Sequence, residues 1–277
     1  MPFTLLTFHA HPDDEALLTA GTMAKAAANG HRVVLVFATS GDVGAVGSAF
    51  LGKGEDLADR RRAEALASAA ALGVARTVFL DYGDSGDKGQ RLDHPTGAGE
   101  PPPFAGASVE EAAETLATIL QEEAVDVLTI YDPNGGYGHP DHVQVRAVGV
   151  AAAAKAGTAV VLEATINREV MKMGVELAGS LGYEIPPELS PDTFDSWFTA
   201  ADALTHAIDV QAFLPAKRAS MEAHASQTTG DGDTPRSLAV LLAMPPEYYA
   251  MAFGTEWFVE LGRPAGTMVD DVFAALG

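Results

Sequence analysis

Apolar residues arrive in short runs separated by stretches of helical spacing. Residues 3–8 (Phe-Thr-Leu-Leu-Thr-Phe) form a brief apolar run suited to a strand buried on both faces. Residues 16–28 are rich in Ala and Leu and stop at Asn29-Gly30, which predicts a helix with its end signal. Residues 32–38 (Arg-Val-Val-Leu-Val-Phe-Ala) predict a second strand, and the three segments make a βαβ unit with a right-handed crossover. The alternation continues with a helix over 56–72 closed by Gly73, a strand at 77–80, a helix over 109–123 and a strand at 126–130. A helix over 143–156 and a strand at 159–165 follow. Two loops stand out. Thr39 to Gly54 is glycine-rich, and residues 81–107 are dense in Gly, Pro and Asp. A connection as long as the second is usually functional or disordered.

Past residue 166 the pattern weakens. Residues 168–182 read as helix, 185–193 as a Pro-rich loop, 203–209 as a strand, 211–225 as a helix and 226–236 as a loop. Aromatics over 248–261 suit a last strand. The expected fold class is α/β: a Rossmann-like, doubly wound, mostly parallel sheet with a C-terminal elaboration. The chain reads as one domain over 1–277, with an α/β core at 1–166 and the elaboration at 167–277.

Composition narrows the function. Of 277 residues, 38 are acidic and 17 basic, a formal net charge of −21 that repels phosphate backbones, so no nucleic-acid partner is expected. The chain has no cysteine, which removes disulfides, thiolate ligands and a thiol nucleophile, so any metal must sit on nitrogen and oxygen. No apolar run of about 18 residues predicts a membrane span. The start of the chain lacks the basic and apolar regions of a signal peptide, and the expected location is cytoplasmic. A homo-oligomer stays open.

The chemistry concentrates in two short words roughly 130 residues apart, Ala10-His11-Pro12-Asp13-Asp14-Glu15 and Gly138-His139-Pro140-Asp141-His142. Both fall just past predicted strands, where open α/β sheets bind ligands. His11 and Asp14, three apart, can face one centre in the first turn after a strand, and His142 completes a three-ligand set of the catalytic zinc type. Fe²⁺ or Co²⁺ suits the same donors. Asp13 then stands beside the metal pair as a general base, and His139 as an acid or an oxyanion partner. Each word alone also fits ordinary helix-start chemistry, since proline opens helices and acidic residues complement the dipole. Other signals fall away. Gly41-Asp42-Val43-Gly44-Ala45-Val46-Gly47 lacks the ending of a phosphate loop, and neither Ser40 nor Ser48 sits in a G-x-S-x-G elbow.

The two words together resemble the LmbE/PIG-L superfamily of zinc-dependent deacetylases, which includes GlcNAc-phosphatidylinositol de-N-acetylases, thiol-pathway deacetylases and glycopeptide-antibiotic deacetylases. The first word matches that family's AHPDDE motif residue for residue. The resemblance runs over residues 3–165 and returns more loosely around 214–227. It implies zinc on His11, Asp14 and His142, Asp13 as base, and His139 as electrostatic partner or acid. It adds Tyr137 near the oxyanion, and Arg61 and Asp84 as substrate-binding residues. Asp141 becomes either a residue that orients a ligand or simply a surface residue, Lys217 and His224 belong to a late family helix, and His224 supports the fold.

The expected activity is amide hydrolysis: N-deacetylation of an N-acetylated amino sugar or related small molecule. The alternatives are an amidase of a larger conjugate, such as a mycothiol S-conjugate, and a non-catalytic protein that kept the fold. A phosphoesterase is weaker, because the strand-end loops hold too few further acids for a second metal.

Overall fold

The structure is a computed structural model, and it describes residues 1–277 apart from 48, 94–96, 98, 181, 183–184, 186–192 and 230–236. Ser48, most of the Pro-rich 185–193 stretch and most of the 226–236 loop lie outside the described residues. The described strands are β1 (Thr4–His9), β2 (Arg32–Thr39), β3 (Arg76–Tyr82), β4 (Val127–Tyr131), β5 (Val160–Thr165), β6 (His206–Asp209) and β7 (Thr255–Glu260). The helices are α1 (Asp14–Leu18), α2 (Ala20–Ala28), α3 (Leu57–Ala71), α4 (Val109–Glu122), α5 (Gly135–Gly138) and α6 (Pro140–Ala156). They continue with α7 (Arg168–Ser180), α8 (Leu214–Ala223), α9 (Ala225–Thr228), α10 (Ser237–Leu242) and α11 (Pro246–Phe253).

The strands form one mixed sheet in the order β3-β2-β1-β4-β5-β7-β6. β1 to β5 pair in parallel, whereas β7 pairs antiparallel with both β5 and β6. The chain therefore lays β1, β2 and β3 outward in one direction and β4 and β5 in the other. β1 and β4 meet at the reversal, with Leu5 opposite Val127, Leu6 opposite Leu128 and Thr7 opposite Thr129. Connections leaving two neighbouring strands in opposite directions open a crevice at their carboxyl ends.

Side-chain alternation along β1 and β2 builds a core on each face. Leu6, Phe8, Val34 and Val36 meet Leu116 and Leu120 of α4 and Val145 and Val148 of α6. Leu5, Val33, Leu35 and Phe37 meet Met23 of α2, Ala65 and Ala69 of α3, and Phe273 near the chain end. All these strand residues are almost wholly buried, as near-continuous apolar runs require when helices cover both faces.

Several elements differ from expectation. The helix expected over 16–28 is two helices, because Thr19 leaves helical geometry at φ −134°. The helix expected from 143 begins at Pro140, whose fixed φ suits a first helical position, and His139 caps it by accepting the Asp141 N–H. The 81–107 loop contains short 3₁₀ turns at Gln90–Asp93 and Phe104–Gly106, and Phe104 joins the core. Residues 248–253 are helix rather than strand, since Pro246 opens α11, and β7 begins only at Thr255. The elaboration supplies β6 and β7 to the same sheet. Among the described residues no helix is long and apolar enough to cross a membrane.

The seating of α6 on β4 fixes where the second word lies. Gly149 permits it, because a Cβ there would overlap the Ile130 Cγ2. Gly149→Ala is expected to destabilise the protein by about 1–3 kcal/mol through overpacking, read as a lower urea midpoint with unchanged m-value.

Candidate metal and active site

The first word follows directly on β1, which ends at His9. His11 donates its backbone N–H to Asp14 Oδ2 at 2.8 Å, closing a tight turn that brings both side chains to one side. The ring Nδ1 of His11 lies 3.3 Å from Asp14 Oδ2. Its Nε2 lies 3.1 Å from Asp141 Oδ2 and 3.5 Å from Asp84 Oδ1. The second word enters from β4 through a loop held by Asp132, which accepts the Asn134 and Gly136 N–H groups and the Thr165 hydroxyl. Gly135 in that loop has φ +62°, and a Cβ on it would lie 2.8 Å from the His142 Cβ. Its carbonyl faces His142 Nδ1 at 3.1 Å. His142 Nε2 is buried, meets no well-formed hydrogen-bond partner, and faces Asp14 Oδ1 at 3.4 Å.

Three imidazoles therefore converge. The donor atoms of His11, His139 and His142 all lie within 4.8 Å of one another, and His11, Asp84, His139 and Asp141 form an overlapping group. An imidazole–carboxylate cluster of this kind can hold a divalent metal ion, and the orphaned Nε2 of His142 is the atom such an ion would satisfy.

Burial sets the electrostatics and the neighbours decide the outcome. Burial opposes charge on Asp14, yet the imidazoles of His142 and His11 outweigh it and hold this carboxyl well below the usual range. Asp141 and Asp84 are depressed in the same way, with His11 again the main opposing partner. Burial also opposes charge on His11, but Asp14, Asp141 and Asp84 overcome it and raise its pKa well above the ordinary value. His139 goes the other way. Burial, reinforced by His11 and His142, lowers it to about 4, so it is neutral near pH 7.

Asp13 occupies a left-handed backbone position, φ 111°, which an L residue adopts only under strain. Its N–H donates to Glu15 Oε2 at 2.9 Å, and its carboxylate lies 3.2 Å from Arg61 Nη2. Burial pushes Asp13 up to about 6, with Arg61 opposing and Asp14 reinforcing the rise. Arg61 turns inward from α3. It donates to the Pro12 carbonyl and to the Gly41 carbonyl at 3.0 Å, and is 3% exposed. The guanidinium passes under Gly41 and Gly44, where a side chain would collide with it. Asp84 also turns inward, capping its own turn through the Gly86 N–H and facing His11. Tyr137 is 47% exposed at the rim, its ring edge-on to His142 and His139 and 6.1 Å from Trp197.

The sequence left Asp141 between a ligand-orienting role and a surface position. It is fully buried and accepts from the Ser85 N–H, the Ser85 hydroxyl and the Ala105 N–H while facing His11. Sequence reasoning missed Ser85, Asp132, Tyr131 and Glu15. Glu15 is wholly buried and bonds His224 Nε2 at 2.5 Å and the Ser68 hydroxyl at 2.6 Å. The late-helix residues support this frame. His224 meets Glu15, and Lys217 donates to Glu256 and the Leu17 carbonyl.

An open α/β sheet with imidazoles and carboxylates gathered at its switch point has the donors that metal-assisted hydrolysis uses. Residues 6–153 match the PIG-L family, GlcNAc-PI de-N-acetylase, and the chain belongs to that family. It is 34% identical over 289 residues to a 1D-myo-inositol 2-acetamido-2-deoxy-alpha-D-glucopyranoside deacetylase of Acidothermus cellulolyticus, covering 99% of this chain and 95% of that protein. Its fold is similar to N,N'-diacetylchitobiose deacetylase from Pyrococcus horikoshii, with TM-score 0.55, 21% identity, and 93% and 83% of the two chains covered. It is equally similar to GalB, the 4-carboxy-2-hydroxymuconate hydratase of Pseudomonas putida, with TM-score 0.58, 17% identity, and 95% and 98% covered. The fold alone thus carries more than one chemistry. Family membership and the relatives' activity make this chain an amide hydrolase of the N-deacetylase kind.

The cluster predicts a direct measurement. His142→Ala is expected to lose divalent metal on desalting while the parent retains it, with metal content read by mass spectrometry.

Proposed function

We propose that this chain is a zinc-dependent deacetylase that removes acetyl from the nitrogen of a 2-acetamido sugar carried as a small glycoside, such as a sugar–inositol. The carrying observation is the orphaned His142 Nε2, buried beside Asp14 and His11 with Asp13 adjacent in sequence. Similarity to the inositol amino-sugar deacetylases over nearly the whole chain supports the substrate class.

Hydrogen bonds favour a particular ligand set. The Gly135 carbonyl can only accept, so His142 Nδ1 donates to it and Nε2 is the nitrogen left to a metal. Asp141 likewise accepts from His11 Nε2, so a metal would displace the Nδ1 proton on the side facing Asp14. His139 differs, because its Nδ1 accepts the Asp141 N–H and its single proton must sit on Nε2. His11, Asp14 and His142 then hold the metal, and neutral His139 presents an N–H. Zinc suits this nitrogen and oxygen set, as do Fe²⁺ and Co²⁺. Bound there, the ion supplies Lewis acidity toward the amide carbonyl and toward water.

Asp13 takes a proton from the water that attacks the carbonyl carbon. Its raised pKa makes it a better base than an exposed carboxylate. The Arg61 guanidinium keeps Asp13 aimed and ionised. His139 Nε2–H and the Tyr137 hydroxyl donate to the negative charge growing on the carbonyl oxygen. Asp13 returns its proton to the nitrogen, the C–N bond breaks, and the amine and acetate leave. Asp84 and Asp141 hold His11 in orientation.

Amine release from N-acetylated sugars, sugar–inositols and thiol conjugates, with and without chelator, tests the reading. Chelator-sensitive turnover confined to the amino-sugar glycosides is expected; chelator-insensitive release, or turnover of thiol conjugates alone, sinks it. Asp13→Gly is expected to retain metal and fold, since glycine tolerates φ 111°, while turnover falls by about 10²- to 10⁴-fold. Parent-like turnover in that variant removes Asp13 from the role of base.

A further inference from the structure

The glycine-rich stretch Gly41-Asp42-Val43-Gly44 carries no phosphate-loop ending, yet it lies between two residues of the crevice. Its root is tied to the residue before His11. The Thr39 hydroxyl donates to the Ala10 carbonyl at 3.0 Å and accepts the Gly41 N–H at 3.1 Å. Gly41 and Gly44 lie over the Arg61 guanidinium, where a side chain does not fit, and Val43 is exposed. Asp42 is the side chain of this turn that reaches another part of the site. Its Oδ1 accepts the Asp84 N–H at 2.9 Å, and its Oδ2 accepts from Arg91 Nη1 at 2.6 Å. The same Arg91 nitrogen donates to the Asp84 carbonyl at 3.1 Å. Gly83 makes room for it, since a Cβ there would lie 3.3 Å from that nitrogen.

Asp84 is thus held by both of its peptide groups, while its carboxylate is only partly engaged. Oδ1 accepts the Gly86 N–H and faces His11; Oδ2 has no hydrogen bond among the described residues and is the acceptor left for a hydroxyl of the substrate. The Asp42 and Arg91 side chains are 28% and 22% exposed, so solvent screens the pair and it adds little to stability. Its use is local. It satisfies the N–H and carbonyl of a buried residue that lies just past β3, groups that need partners once water has left.

We propose that Asp42, joined to Arg91, is the positioning residue that fixes Asp84 in the crevice, and so sets how tightly a hydroxyl of the 2-acetamido sugar is held. The proposal rests on the deacetylase reading above and on Asp84 as a substrate-binding residue, the role that the family resemblance implies. It gives the glycine-rich loop a task. Its glycines admit Arg61, and the aspartate between them places Asp84.

Steady-state kinetics on an N-acetylglucosamine–inositol glycoside, with zinc content measured alongside, test it. Asp42→Ala is expected to raise KM about 10-fold while kcat stays within about twofold and zinc content is unchanged. Arg91→Met is expected to raise KM in the same direction, and Arg91→Lys to restore part of the loss. The double variant Asp42→Ala/Arg91→Met is expected to cost no more than the worse single one, because both side chains act on one residue. A KM in Asp42→Ala equal to the parent's overturns the proposal, even where its melting temperature falls, since that pattern marks a role in stability alone. A fall in kcat with loss of zinc at unchanged KM also overturns it, since Asp42 then serves the metal centre. Where Asp42→Ala does not fold, the KM of Arg91→Met decides in the same way. A parent chain that releases no amine from this glycoside overturns the proposal and the deacetylase reading together. An active parent beside a variant of unchanged KM overturns only the proposal.

Discussion

The pairing of β1 with β4 is the constraint on which the site depends. The two words lie in distant parts of the chain, and only the adjacency of the strands they follow brings them to one crevice. Both strands are buried on each face, so a slip in register would turn apolar residues away from their helices and unseat both cores. The same packing that makes the sheet stable thus fixes the separation of His11 and His142. Gly149, by letting α6 approach Ile130, sets the remaining coordinate.

The crevice gathers more ionisable groups than a stable interior tolerates without compensation. Asp14, Asp84 and Asp141 converge on His11, and each is depressed despite burial. Removing one partner from such a cluster leaves uncompensated buried charge, a heavier loss than the pair itself contributes. Backbone donors share the load. Asp141 takes N–H groups from Ser85 and Ala105, and Asp84 takes one from Gly86. The long 81–107 loop, whose length reads from sequence as functional or disordered, therefore serves partly as a donor rack for carboxylates.

A second buried network lies behind Asp13. Glu15, held by His224 and Ser68, accepts the Asp13 N–H, and Ser68 reaches Ser220 on α8 at 2.7 Å. α8 is tied in turn to the start of α2, because Lys217 binds Glu256 and Glu256 accepts the Gly21 and Thr22 N–H groups. The C-terminal elaboration thereby braces the strained turn at Asp13. Strain of about 1–3 kcal/mol persists only where surrounding structure over-determines it, and here that structure comes from the far end of the chain.

Much of this protein is legible in its sequence. Short apolar runs alternating with Ala-rich helical spacing encode burial on two faces, which requires a mainly parallel sheet under helices, and strand ends are where the two words then fall. The words also declare their chemistry, since only His, Asp and Glu offer those donors in a chain without cysteine. The tertiary structure alone decided which strands are neighbours, which groups face each ring nitrogen of the site histidines, and that Arg61 and Asp84 turn inward. It also decided that the first helix breaks at Thr19 and that residues 248–253 are helical. The reason is physical. Periodicity is a local record of which side chains avoid water, whereas tautomers, shifted pKa values and buried pairings depend on the groups that arrive from elsewhere once water has left.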